Sequence, residues 1–147
     1  MPDDYEVIVV GSDGSKSSML AVERAARLAA AFGAELVIAT AYYDSEADVS
    51  AAPRQDSVII LGNEQAEKNL EGAASYAREV GAGNVRVAAR AGTPVEALMA
   101  VVNEYGADLL VVGNRGINTL TGRLLGSVPA DVARQSDCDV MIVHTVK

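Results

Sequence analysis

Apolar residues along this chain follow two alternating patterns. Tyr5–Gly11 (YEVIVVG) and Glu35–Tyr43 (ELVIATAYY) are short, nearly unbroken runs rich in β-branched residues, the pattern of strands buried on both faces. Asn84–Arg90 (NVRVAAR) alternates and reads as a third strand, with Asp108–Gly113 a fourth and Asp139–Thr145 (DVMIVHT) a fifth. Between them the apolar period lengthens. Met19, Val22, Ala26 and Ala29 make a helical stripe that ends by Gly33. A second helix is expected from near Gly62 to Val80, closed by Gly81. In the third, Thr93 caps, Pro94 suits the first turn, Glu96 completes a capping box, and Val95, Leu98, Met99 and Val102 line one face before Gly106. A short last helix is read in PADVARQ, after Ser127. Asp44–Leu61 shows no clear period, and a connection of that length reads as a lid or as a surface loop.

Five strands alternating with four helices predict an α/β fold, an open parallel sheet with helices on both faces. No internal repeat or linker divides the chain, so residues 1–147 are expected to form one domain. With one Phe and no Trp, the core must come from Val, Ala, Leu and Ile. In such sheets a ligand binds beyond the carboxyl ends of the strands, where the strand order reverses. Two glycine-bearing strand ends qualify: Gly11-Ser12-Asp13-Gly14, and Gly113 onward. They share one crevice if the first and fourth strands are neighbours.

The second of these, Gly113–Val128 (GNRGINTLTGRLLGSV), holds four glycines in fourteen residues and then Ser127. Glycine lets backbone approach a ligand closely. Ser127 is placed to cap the next helix, whose free N–H groups and dipole favour a phosphate. Asp13 is placed either to cap the first helix or to accept ribose hydroxyls. Arg115 and Arg123 are candidate phosphate contacts, and Arg115, inside the glycine pair, is the better placed.

Composition narrows the classes. The net charge of −8, from 12 basic and 20 acidic residues, argues against nucleic acid and anionic membranes as partners but not against a local anion site of backbone N–H groups. The N-terminus lacks a secretory pattern, and no apolar run approaches the ~20 residues of a membrane span. Cys138 is the lone cysteine, which with these features fits a cytoplasmic protein. One histidine, His144, rules out a histidine-rich metal site, and there is no P-loop lysine. No catalytic set and no metal site is expected.

VVGSDGS near the start, VVGNRG, and GRLLGSVPADVARQSDCDVMIVH together resemble the universal stress protein family over essentially the whole chain. The nucleotide-binding branch carries Gly-x2-Gly-x9-Gly-Ser/Thr, which stands here at Gly113, Gly116, Gly126 and Ser127. The resemblance implies a Rossmann-like sheet of order 3-2-1-4-5 and an adenine-nucleotide ligand: ATP, AMP or cyclic AMP, with Mg²⁺ beside ATP. It implies that Gly11, Ser12 and Asp13 flank the adenosine and that Ala41 offers backbone atoms to the adenine edge. Val112 and Gly113 would press on the base and ribose, Arg115 and Gly116 would face the phosphates, and Gly126, Ser127 and Val128 would close the cradle. It also implies a homodimer paired through the last strand.

One departure shifts the ligand. Many ATP-binding relatives carry Ser or Thr two residues after Ser127, where this chain has Pro129, which has neither hydroxyl nor N–H. That favours AMP or cyclic AMP, and GRLLGSVPA is similar to an actinobacterial subgroup of cyclic AMP binders. The expected function is a regulatory sensor or sequestering protein. A weak ATPase or autophosphorylating enzyme, and an interaction module independent of nucleotide, are the alternatives.

Overall fold

The computed structural model describes residues 4–51, 59–114 and 127–145. The elements run β1 (Val7–Gly11), α1 (Lys16–Phe32), β2 (Glu35–Tyr42), α2 (Glu46–Ala51), α3 (Asn63–Val80), β3 (Val85–Ala91), α4 (Pro94–Tyr105), β4 (Leu109–Gly113), α5 (Ser127–Gln135) and β5 (Asp139–Val143). All pairings are parallel, in the order β3-β2-β1-β4-β5. The α/β class, the parallel sheet and its order are as expected.

Strand alternation divides the core into two layers. Ile8 and Val10 of β1, Leu36 and Ile38 of β2, and Leu109 and Val111 of β4 face α1 and α3. Val9, Val37, Leu110 and Val112 point the other way, onto α4 and α5. Both helices of the first layer approach through small residues: Ala21, Ala25, Ala26 and Ala29 in α1, and Ala66, Ala73, Ala74 and Ala77 in α3. One polar group is left over. Thr40 of β2 is 3% exposed and its hydroxyl has no hydrogen-bond partner among the described residues.

Two carboxylates tie down the amino ends of the strands. Asp108 accepts from the N–H groups of Glu6 (3.0 Å) and Val7 (3.1 Å), locking β1 beside β4. The Tyr5 hydroxyl donates to Asp139 at 2.7 Å, joining the start of the chain to β5. That bond to a carboxylate is the main reason the Tyr5 phenol is pushed above its ordinary range.

Two sequence expectations are corrected. Asp44–Leu61 contains the helix α2, which went unread because none of its six residues is buried, so no apolar stripe marks it. In α4 the fully buried residues are Ala97, Leu98, Val101 and Val102, while Val95 and Met99 pack only at the margin. VEALMAVV is apolar at almost every position, so its period does not fix which side faces the sheet.

The capping box of α4 is formed as expected: Thr93 Oγ1 accepts from Glu96 N (3.2 Å), and Glu96 Oε1 accepts from Thr93 N (3.1 Å). These bonds hold the Glu96 carboxyl below its ordinary range. A depressed carboxyl stabilises the fold above its unfolded pKa, and that contribution is lost as pH falls through the folded value. Thr93→Ala should therefore cost about 1 kcal/mol at neutral pH. In urea titrations the gap to wild type should narrow below the carboxylate range; a gap independent of pH would contradict the assignment.

Candidate functional site

At the carboxyl end of β1 the chain must leave the sheet and enter α1 within a few residues, and hydroxyls manage the change. Ser12 N still donates to Ala39 O of β2 at 2.9 Å. Ser15 caps α1, its Oγ accepting from Ser18 N at 3.1 Å. Asp13 therefore does not cap the helix: its Oδ1 takes the Ser15 N–H at 2.9 Å and closes the turn ahead of the cap. Ser18 Oγ donates to Ser15 O at 2.9 Å, which leaves it to accept from Asp13 N (3.4 Å) and from Ser12 Oγ (3.3 Å). Gly14 N in turn donates to Ser12 Oγ at 3.3 Å. Gly14 has φ +83°, and a Cβ there would lie 3.3 Å from Asn69 Nδ2 of α3.

β4 ends beside this loop. Ile8, Val9 and Val10 pair with Leu109, Leu110 and Val111, so the ends of β1 and β4 are neighbours. β2 flanks β1 on the other side, with Ala39 paired to Gly11 and Ala41 two residues further out. This is the point where the strand order reverses. Both strand-end glycines meet packed neighbours. A Cβ on Gly11 would come within 3.0 Å of Leu98 Cδ2, and one on Gly113 within 3.3 Å of Thr145 Cγ2 and 3.6 Å of Ser17 Oγ.

Of the expected site residues, Gly11, Ser12, Asp13, Ala41, Val112 and Gly113 thus converge on the carboxyl edge of β2, β1 and β4. Val112 is buried against the α4–α5 layer, and Val128, in α5, packs against the same layer. Ser127 is the first described residue of α5. Arg115, Gly116 and Gly126 lie outside the described residues, as does Arg123.

Sequence reasoning missed Asn114, Ser17 and Thr145. Asn114 is buried directly after β4; its N–H donates to Val143 O at 2.9 Å, and its Oδ1 accepts from Thr145. The available signal was a polar residue immediately after each apolar strand end, in VVGN and IVHT.

A separate cleft of about 400 Å³ lies at the ends of β2 and β3 beside α2, lined by Tyr43, Asp48, Gly92, Thr93 and Glu96 among others. Asp44 adds a third carboxylate, so its lining repels anions. Tyr43 closes the neighbouring segment at its base, through Tyr43 N to Ile60 O (2.9 Å) and Gly62 N to Tyr43 O (2.8 Å). Among the described residues no cluster of His, Cys, Asp and Glu could hold a metal ion, and no helix is long and apolar enough to cross a membrane.

The sequence profile of the Universal stress protein family matches residues 4–144. The chain belongs to the universal stress protein family. It is 48% identical over 143 residues to universal stress protein Rv1636 of Mycobacterium tuberculosis, covering 96% of this chain and 97% of that one. A universal stress protein crystallised in complex with cyclic AMP superposes with a TM-score of 0.73 at 45% identity, covering 98% of this chain and all of the other. The universal stress protein UspA of Lactobacillus plantarum shares the fold at a TM-score of 0.74 and 19% identity, covering 97% and 99% of the two chains. In this universal stress protein fold the strand order reverses between β1 and β4, with the serine-lined turn after β1 beside it.

Two glycines separate the local requirements of this turn from ordinary helix propensity. Gly14→Ala should lower stability by about 1–2 kcal/mol through its left-handed backbone. Gly72→Ala, on the exposed side of α3 with open space around it, should raise stability by about 0.5–1 kcal/mol. Chemical denaturation of both variants checks the pair; an unchanged Gly14→Ala would show that the turn is not held as described.

Proposed function

We propose that this chain is a regulatory protein that senses or sequesters an adenine nucleotide, cyclic AMP or AMP before ATP. The observation that carries the reading is the 45% identity, over nearly the full length of both chains, to a universal stress protein solved with cyclic AMP. The crevice at the ends of β1 and β4 is where a parallel sheet of this order receives a ligand. In the proposed site Gly11, Ser12 and Asp13 flank the adenosine, Ala41 meets the adenine edge with its backbone, and Val112 and Gly113 contact base and ribose. Arg115 and Gly116 face the phosphate, and Gly126, Ser127 and Val128 close around it with the dipole of α5 behind them.

Features of the described residues support this reading. At Gly113 a side chain would press on Thr145 Cγ2 at 3.3 Å and sit in ordinary contact with Ser17 Oγ at 3.6 Å, so the strand end is closely packed there. The neighbouring acidic cleft suits an anion poorly, so the phosphate is left to the glycine loop. Pro129 stands buried in the first turn of α5, where a missing N–H costs the helix nothing but offers a phosphate nothing either. With fewer donors the cradle suits one phosphate better than three, and Mg²⁺ would enter only with ATP. The protein acts by binding rather than by turnover, works in the cytoplasm, and pairs as a homodimer through β5, the edge strand of the sheet.

Calorimetric titration of nucleotide-stripped protein with cyclic AMP, AMP and Mg-ATP tests this. Cyclic AMP or AMP should bind at least about tenfold tighter than Mg-ATP, a difference of about one contact's worth of free energy. Gly116→Val and Gly126→Val should abolish binding while leaving the fold in place. Retained affinity in both variants, or preference for Mg-ATP, would overturn the assignment of the loop or of the ligand respectively.

A further inference from the structure

A chain of hydrogen bonds crosses from one wall of the proposed crevice to the other. Ser17, in the first turn of α1, has its Oγ 2.5 Å from Thr145 Oγ1. Thr145, just past β5, directs both its N–H (2.9 Å) and its hydroxyl (3.0 Å) at Asn114 Oδ1. Because the Thr145 proton is committed to Asn114, Ser17 is the donor in the first bond. Asn114 Nδ2 lies 3.3 Å from His144 Nδ1, so the histidine accepts there. Asn114 is 3% and Thr145 9% exposed, so water does not compete for these bonds.

The position of the chain gives it a consequence. Ser17 belongs to the helix that follows the Gly11–Ser15 turn, and Asn114 directly follows β4. The contact between α1 and β4 at this level is made at Gly113, which has no side chain of its own to fix the distance. The bonded chain through Thr145 fixes it instead.

We propose that Asn114 is a positioning residue for nucleotide binding: with Thr145 and Ser17 it sets the separation between the start of α1 and the carboxyl end of β4. The inference rests on the nucleotide reading of that crevice and assigns Asn114 no bond to the ligand. Its effect passes through the backbone at the ends of β1 and β4, so removing it should weaken affinity without removing a ligand contact.

Titration of the wild-type chain and of Ser17→Ala, Asn114→Ala and the double variant with cyclic AMP and AMP, alongside thermal unfolding, tests the inference. Asn114→Ala should weaken the tighter ligand about tenfold, and Ser17→Ala about threefold, in line with one or part of one buried hydrogen bond. The double variant should bind about as weakly as Asn114→Ala alone, since both substitutions break the same chain. Melting temperatures that fall while affinities stay within about twofold of wild type would overturn the inference and leave the network a purely structural one. Additive losses would do the same. Should Asn114→Ala fail to fold, an unchanged affinity in Ser17→Ala overturns the inference by itself. A wild-type chain that binds neither nucleotide overturns the nucleotide reading, and this inference with it.

Discussion

The backbone of β1 cannot reach water, and the fold is organised around that fact. Ile8, Val9 and Val10 are wholly buried, helices cover both faces, and a strand lies along each edge. Every N–H and C=O of the strand must therefore be paired from within. β2 supplies one ladder and β4 the other, and Asp108 closes the entry by accepting the Glu6 and Val7 amides. β2 and β4 lie on opposite sides of β1, so the strand order reverses between β1 and β4. The proposed crevice sits at that reversal, a by-product of satisfying the central strand.

What fills the gap at that end is economical in side chains. Ser12, Ser15 and Ser18 bond to one another and to local backbone, with Asp13 closing the turn. Glycines at 11 and 113 let α4 and α1 come close to the strand ends. In the proposed site a protein of net charge −8 can still hold an anion, because the attraction would come from short-range N–H groups and a helix dipole rather than from the overall field. The acidic cleft at the ends of β2 and β3 shows the contrast: it is roomier in aspartate and glutamate than in donors.

Much of this was legible in the sequence because it rests on local signals. Buried parallel strands appear as apolar runs, and the α4 cap is written in Thr93-Pro94-Val95-Glu96. Other features need information that no short window holds. The phase of α4 was hidden by apolar residues on all its sides, and α2 has no buried residue to give it a period. Asp13 was read as a helix cap or a ribose ligand, whereas the cap is Ser15, two residues on. The chain through Ser17, Thr145 and Asn114 joins residues 128 positions apart, and becomes visible only once β4, β5 and α1 are assembled. The strand order came from family resemblance, since periodicity does not tell which strands are neighbours.

The central claim is that ligand enters between the ends of β1 and β4, and it is tested most directly by amide chemical-shift mapping. Isotope-labelled protein would be titrated with cyclic AMP and followed residue by residue. The account predicts that the largest shifts fall on Ser12–Ser15, Ala41, Gly113–Gly116 and Gly126–Val128, with β3 and the amino ends of the strands unmoved. Shifts centred instead on Asp44, Asp48, Thr93 and Glu96 would place the ligand in the acidic cleft and contradict it.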